Sequence, residues 1–545
     1  MSVLRRAGQN VRRWARRVSV AATFKVPMGS WVEVELSGAW TEQTQASGSS
    51  FALGLTDLLR CMDGMGKDDR VRGLLIRVRG SGGSFASAQS LGRAIQELRD
   101  RGRQVVVWAE SLNDAQYLAL CGADRIWLPE SGTLFLMGVR TERFFVRDLL
   151  DRVGARPEVV HVGKYKSAGD TFTRGSMSEE EREQVESWQN DVFEDLVHSI
   201  SEGRDLDETS VKARIDQGPY PAKAALAAGL IDELAYLDEI PERLVAGMVR
   251  DDQQSEGARH FQSVPGLDYF KNRVSDMAPV SLWRDSPRIA CLIAEGSVQR
   301  GSGQRGITSE GTIQWLEALR TDPSVRGVLL RIDSPGGDAL ASDLIHREVQ
   351  RLGKEKPVVV SMGDVAASGG YYMAAPADSI FAEVGTITGS IGVLGVKLNL
   401  SGLYERLGIA KEGIQKGARA GLFSDAHGLS SDERAALRQE MDAFYATFLE
   451  RVSDGRNLTT AEVDSIAQGR IWSGRRAQAV GLVDRVGGPL EALRDLAKRA
   501  GFEQDEPYAV VMLPPTSRWT EWLRGAMSGQ NPFARSQQGR GPRIR

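Results

Sequence analysis

Val71-Arg72-Gly73-Leu74-Leu75-Ile76-Arg77-Val78 and Val325-Arg326-Gly327-Val328-Leu329-Leu330-Arg331-Ile332 are one phrase written twice. The offset is 325 − 71 = 254. The same offset sets Gly82-Gly83 on Gly336-Gly337, Ala123-Asp124 on Ala377-Asp378, Gly138-Val139 on Gly392-Val393 and Gly154 on Gly408. Further along it shortens to 252, pairing Arg182 with Arg434, Gly203-Arg204 with Gly455-Arg456 and Gly229-Leu230 with Gly481-Leu482. A ladder of matches at one spacing marks a duplicated structural unit.

Each copy reads the same way. The apolar runs 73–78 and 327–332 have the length and composition of buried parallel strands, and each leads into a glycine turn. Helical periodicity follows over 88–99 and 342–352, then second strands at 104–109 and 357–362. Short strands at 125–128 and 379–381 precede charged segments, 178–201 and 430–453, that read as helical hairpins. Strands alternating with helices give an α/β fold with mostly parallel sheets, and right-handed crossovers would stack the units into a spiral. The expected division is a basic amphipathic arm at 1–29, an N-terminal repeat at 30–250, a polar linker at 251–286 with a short helix near 268–276, a C-terminal repeat at 287–500, and a basic, partly disordered tail at 501–545.

At 545 residues the chain exceeds what one core organises. A net charge of −3 offers no field for nucleic acid. Cys61, Cys121 and Cys291 are odd in number and far apart, which speaks against disulfides and zinc and for a reducing compartment. No run of eighteen apolar residues suggests a transmembrane helix, and the N-terminus lacks the apolar stretch of a cleavable signal peptide. There Leu4, Ala7, Val11, Trp14, Ala15 and Val18 recur at helical spacing opposite arginines. That pattern fits a helix on an anionic membrane surface, or a basic, partly disordered arm, or one packed on the protein. The expected location is cytoplasmic or peripheral to a membrane.

The chemistry lies where the two copies differ. Ala366-Ala367-Ser368-Gly369-Gly370-Tyr371-Tyr372 stands between a strand and an Ala-rich helix, and the 254 offset sets Asp114 opposite Ser368. On this stretch alone Ser368 reads equally as a helix cap or as an exposed nucleophile. Thr388-Gly389-Ser390-Ile391-Gly392 has Leu136 in the place of Ser390. In the other direction, Gly163-Lys164-Tyr165-Lys166-Ser167-Ala168-Gly169 aligns Lys166 with Ala418. A serine needs a base to take its proton, and none of the five histidines stands with an acid in an evident triad. Lysine can serve if burial keeps it neutral, although a loop lysine is by default a surface one. Asp333-Ser334-Pro335-Gly336-Gly337 makes a tight turn after a strand. The N–H groups of Gly337 and Gly369 are candidate oxyanion donors.

Taken together, Asp333–Gly337, Ala367–Tyr372, Thr388–Gly392 and Tyr165–Ala168 resemble the signal peptide peptidase A (protease IV) family in its long, duplicated form. The resemblance covers about residues 30–500. It implies a crotonase/Clp-like spiral of ββα units, with Ser368 as nucleophile, Lys166 as general base, Ser390 orienting the lysine, and Gly337 and Gly369 forming the oxyanion hole. It further implies a serine endopeptidase without metal or cofactor, acting on hydrophobic peptides such as residual signal peptides. Members form dome-shaped rings, the long form a homotetramer. Long members usually carry a transmembrane helix at the N-terminus, where this sequence has the Arg-rich stretch. An acyl-CoA enzyme of the crotonase type would share the Gly-Gly turn, and a non-catalytic membrane- or peptide-binding scaffold would keep only the fold.

Overall fold

The duplicated phrase forms a central strand in each of two largely parallel sheets. The computed structural model describes residues 24–514 except 39, 43, 48–49, 252–260, 275–286, 304–305, 504–505 and 507. In the first half we name β1 (Ser30–Ser37), β2 (Val71–Arg79), β3 (Gln104–Ala109), β4 (Arg125–Leu128), β5 (Arg156–Val162), β6 (Glu233–Leu234) and β7 (Ser263–Pro265). Its main helices are α1 (Phe85–Asp100), α2 (Asp114–Leu120) and α3 (Glu179–Arg204). All these strands but β5 join one parallel sheet in the order β6-β4-β3-β2-β1-β7.

The second half repeats the plan. Its strands include β8 (Arg288–Glu295), β9 (Val325–Ser334), β10 (Val358–Ala367), β11 (Ser379–Ala382), β12 (Ile387–Gly389), β13 (Val393–Asn399), β14 (Ile471–Trp472), β15 (Arg485–Val486) and β16 (Ala509–Leu513). Among its helices are α4 (Ala339–Gly353), α5 (Gly369–Ala374) and α6 (Ser431–Arg456). The sheet order is β14-β12-β10-β9-β8-β16, with β11 beside β10 and β15 beside β11. Only the β12·β14 pair in it is antiparallel. The duplicated phrase is apolar on both faces because helices cover both: Val328, Leu329, Leu330 and Ile332 are all buried. Ala341, Ile345, Val349 and Leu352 recur every three or four residues and turn one stripe of α4 into that core.

Three features of the structure differ from what the sequence suggests. The segments read as helical hairpins are single helices of 26 residues. Neither holds a breaker before Gly203 or Gly455, and Ser178 and Ser430 cap their first turns. The polar linker is in part structural. β7 adds to the edge of the first sheet, and the helical turns Gly266–Tyr269 and Phe270–Val274 bury Tyr269 and Phe270 in the first core. The tail likewise contributes β16, which pairs with β8 as β7 pairs with β1. Each repeat therefore closes on a short strand lying outside the boundary that the sequence suggested. The rest of the arm, linker and tail, 1–23, 252–260, 275–286 and 515–545, lies outside the described residues. Among the described residues no helix is long and apolar enough to cross a membrane.

The halves are keyed together by polar groups. Ser84, at the N-cap of α1, donates to Asp364 on β10, and Gln89 accepts from the Gly385 N–H. Ser90 and Arg93 both reach the buried carboxylate of Glu383. Such contacts fix register more than they add stability, because charges removed from water must be matched closely.

Candidate active site

Strand pairing brings the two serines together. Ala367, the last residue of β10, lies opposite Gly389, the last of β12. Ser368 and Ser390 are therefore the first residues beyond two adjacent strand ends. Both have left-handed backbone, φ +54° and +50°. Five described non-glycine residues have positive φ: Asp205 and Asn457 end the long helices, and the other three are Ser368, Ser390 and Gln468. Each such residue costs about 1–3 kcal/mol and persists only where its surroundings hold it.

The lysine arrives from the first repeat. β5 pairs antiparallel with β13 over seven residues, Arg156–Val162 against Val393–Asn399. The turn after β5 then delivers Lys166. Its Nζ lies 3.1 Å from Ser368 Oγ, 3.0 Å from Ser390 Oγ and 2.8 Å from the Ser390 carbonyl oxygen. Lys166 is 8% exposed. No carboxylate lies within ion-pair distance of it among the described residues, and burial pushes its pKa down to about 8. A neutral amine has two N–H donors and one lone pair. The two Ser390 oxygens take the donors, which leaves the lone pair facing the Ser368 hydroxyl.

The glycine turn faces the same point. Val298 N–H donates to the Gly336 carbonyl and Asp338 N–H donates to the Val298 carbonyl. That bridge uses the groups on either side of Gly337 and turns the Gly337 N–H the other way. A Cβ on Gly337, at φ +156°, would lie 2.2 Å from the Val298 oxygen, so only glycine fits. The Gly369 N–H starts α5 and has no intrahelical partner. Gly337 and Gly369 are neighbours: a Cβ on Gly369 would stand 3.3 Å from the Gly337 nitrogen. Beside them is a cavity of about 610 Å³ with Lys166, Ser368 and Ser390 in its lining and apolar walls that include Tyr372, Met441, Phe444 and Phe448. All five residues singled out by the sequence thus meet, within one chain, at one place.

Against known families, the model of peptidase family S49 matches residues 97–248 and again 350–503. The chain belongs to peptidase family S49. It is 31% identical over 501 residues to the chloroplastic serine protease SPPA of Arabidopsis thaliana, spanning 90% of this chain and 73% of that one. It is also 31% identical over 466 residues to Protease 4 of Salmonella typhi, spanning 82% and 73%. A putative signal peptide peptidase SppA of Enterococcus faecium matches at 39% over 184 residues, 34% of this chain and 54% of that one. Membership in S49 makes the chain a serine peptidase and decides against the acyl-CoA enzyme.

Within this S49 chain the first half has lost the site. Asp114 stands where Ser368 does in the second half, and its carboxylate is spent on the Met137 and Gly138 N–H groups. Trp40 covers the equivalent glycine turn; a Cβ on Gly83 would sit 3.2 Å from its ring.

Two supports of the Lys166–Ser368 contact have no signal in the sequence. The segment Gln468–Trp472 brackets both sides of the site. It accepts from Tyr165 N–H through Gln468 and from Ser390 N–H through Arg470, while Gly469 N–H donates to Ile391. Gln184 on α3 ties the same segment down: its Oε1 accepts from Ile471 N–H, and its Nε2 donates to the Tyr165 carbonyl and Ser167 Oγ. Gly469, at φ +76°, backs the lysine so closely that a Cβ there would lie 2.6 Å from both Lys166 N and Cβ. Gly469→Ala should therefore displace the amine and lower kcat about a hundredfold, as misplacement of a catalytic group by about 1 Å does. Steady-state kinetics beside an unchanged far-ultraviolet circular dichroism spectrum would check this.

Proposed function

We propose that the chain is an endopeptidase for hydrophobic peptides, signal peptides among them, in which Lys166 activates Ser368. The observation that carries this is a buried lysine amine without a carboxylate, 3.1 Å from a serine hydroxyl at a strand–helix junction. Neutral Lys166 takes the Ser368 proton as Oγ attacks the scissile carbonyl, and the Gly337 and Gly369 N–H groups receive the developing oxyanion. The lysine then protonates the departing amine. Water, deprotonated by the same amine, releases the acyl group from Ser368. Ser390 keeps the amine aimed, taking both donors so that the lone pair is left for Ser368. The apolar cavity walls support a hydrophobic substrate. The names of the relatives, one of them a signal peptide peptidase, point the same way. The basic amphipathic stretch at the N-terminus supports contact with an anionic membrane surface, where such substrates reside.

A serine-directed acylating probe tests the reading. It should modify Ser368 in the unaltered chain, and labelling of any other residue instead would sink the assignment. The rate carries the base's signature. Lys166 must be unprotonated to act, so with its pKa at about 8 the rate should climb with pH and level off above that value. At pH 6 about 1% of the amine is neutral, and labelling should be about a hundredfold slower than on the plateau. A flat profile between pH 6 and 9 would mean that a different base is at work.

A further inference from the structure

The cavity extends away from the dyad between β13 and α6, and an unpartnered lysine lies in that extension. Lys397 is 8% exposed, and its side chain lines the same cavity as Ser368. Among the described residues its Nζ has no hydrogen-bond partner, and no carboxylate lies within ion-pair distance. The buried arginines with an unpaired Nε commonly bond through another nitrogen, as Arg331 and Arg470 do; a lysine has only one. Lys397 and Gly395 share the face of β13 turned toward α6, where a Cβ on Gly395 would meet Met441. The surrounding walls include Leu429, Leu437 and Met441.

The carboxylates around it form no hydrogen bond or ion pair with it: Glu440 lines the same cavity and Glu433 lies close enough to feel its charge, yet neither bonds the amine. Glu158, opposite Lys397 across the β5·β13 pair, accepts from the Leu429 N–H and from Arg434. Glu433 accepts from the Ser430 N–H in its capping box. An amine buried without a hydrogen-bond partner is costly even with charges nearby, and a ligand carrying the opposite charge within bonding distance relieves the cost.

We propose that Lys397 makes this end of the cavity a carboxylate-binding subsite, so that the protein favours hydrophobic peptides carrying one carboxylate at a set distance from the cleaved bond. The inference rests on the peptidase reading for what the ligand is. Lys397 lies four strand residues, about 13 Å, beyond Val393, which follows Ser390 by three residues, so it stands roughly 13–23 Å from the cleaved bond. An extended peptide spans that in about four to seven residues. The carboxylate is either an Asp or Glu side chain or the peptide's own C-terminus.

The test uses a set of apolar decapeptides in which one glutamate is walked along either side of the cleaved bond, each with a glutamine twin. A matched pair ends in a free acid or an amide. In the unaltered protein, glutamate at one position about four to seven residues from the bond should raise kcat/KM about tenfold over glutamine, mostly through KM. Lys397→Gln should erase the difference and Lys397→Arg should keep it. A gain with the free C-terminus but not with internal glutamate would assign the subsite to chain ends. Equal rates for every pair, or a preference that persists in Lys397→Gln, would overturn the proposal. If no peptide is hydrolysed, the peptidase reading fails separately. The same peptides titrated by fluorescence polarisation onto Ser368→Ala and onto Ser368→Ala/Lys397→Gln still decide the subsite: a glutamate preference that needs Lys397 supports it, and equal affinities refute it.

Discussion

Lys166→Met should abolish hydrolysis of an apolar peptide and, at pH 7, make the folded protein more stable. Ser368→Ala should remove the same activity. Either change costs about 10⁴-fold or more in kcat, because a nucleophile and its base act as one unit and losing one leaves little for the other to do. The stability gain separates a buried base from an ordinary structural lysine. Burial lowers the Lys166 pKa from 10.5 to about 8, so folding opposes protonation of this amine. The unfolded chain holds the proton more tightly, and below pH 8 the folded state bears the whole cost. The cost shrinks as pH rises from about 8 to about 10.5 and is absent above that. At pH 7 its upper limit is about 3 kcal/mol, from about 1.4 kcal/mol per pKa unit. Methionine fills similar space without a charge to desolvate, and gives up only the hydrogen bonds to Ser390 and Ser368. The expected result is thus a higher urea midpoint for Lys166→Met than for the unaltered chain at pH 7, with the gap closing by about pH 10. Retained activity in this variant would end the case for Lys166 as the base.

Ser368 and Lys166 stand out in the sequence because the chain is duplicated. Ser368 in its Gly-rich stretch looks like a helix cap, and Lys166 in its loop looks like any surface lysine. Each becomes conspicuous only because the aligned position in the other repeat, Asp114 or Ala418, has abandoned it. The strands were equally legible where apolar runs are long. β7 and β16 were not, since three- and five-residue edge strands between polar stretches carry no periodicity and are defined by what they pair with. Gln184 and Gly469 were hidden for a related reason. A glutamine inside a charged helix and a glycine before an arginine have ordinary local roles. Their importance arises from contacts spanning 287 residues in one case and 303 in the other, from Gln184 to Ile471 and from Lys166 to Gly469.

Ile414→Asp combined with Phe144→Asp should turn an oligomer of this chain into a monomer. Inside the molecule, β5 of one repeat meets β13 of the other. Each repeat should own both strands. By the offset of 254, the partner of β13 in the first repeat is 139–145, and the partner of β5 in the second is 410–416. Neither segment is a strand, and neither is paired with the other. Val160, 7% exposed within β5, corresponds to Ile414, which is 100% exposed, and Phe144 is 83% exposed. Apolar residues at that exposure, one set at each end of a tandem array, form a matched pair of edges. The register within the chain sets Gly395 opposite Val160, so between copies Thr141 would face Ile414. Such a contact is head-to-tail: every copy would offer one edge and receive the other, an arrangement that closes as a ring when the rotation between copies divides the full turn. We propose the four-chain ring implied by the family resemblance. An aspartate at each edge would have to be buried unpaired, at a cost of several kcal/mol per interface and at least about a hundredfold in affinity. Sedimentation velocity at micromolar concentration should therefore find a tetramer for the unaltered chain and a monomer for the double variant. Because Lys166, Ser368 and Ser390 all meet within one chain, the monomer should still react with a serine-directed probe at Ser368. A double variant that sediments with the unaltered protein, or an unaltered protein that is itself monomeric, would refute the ring.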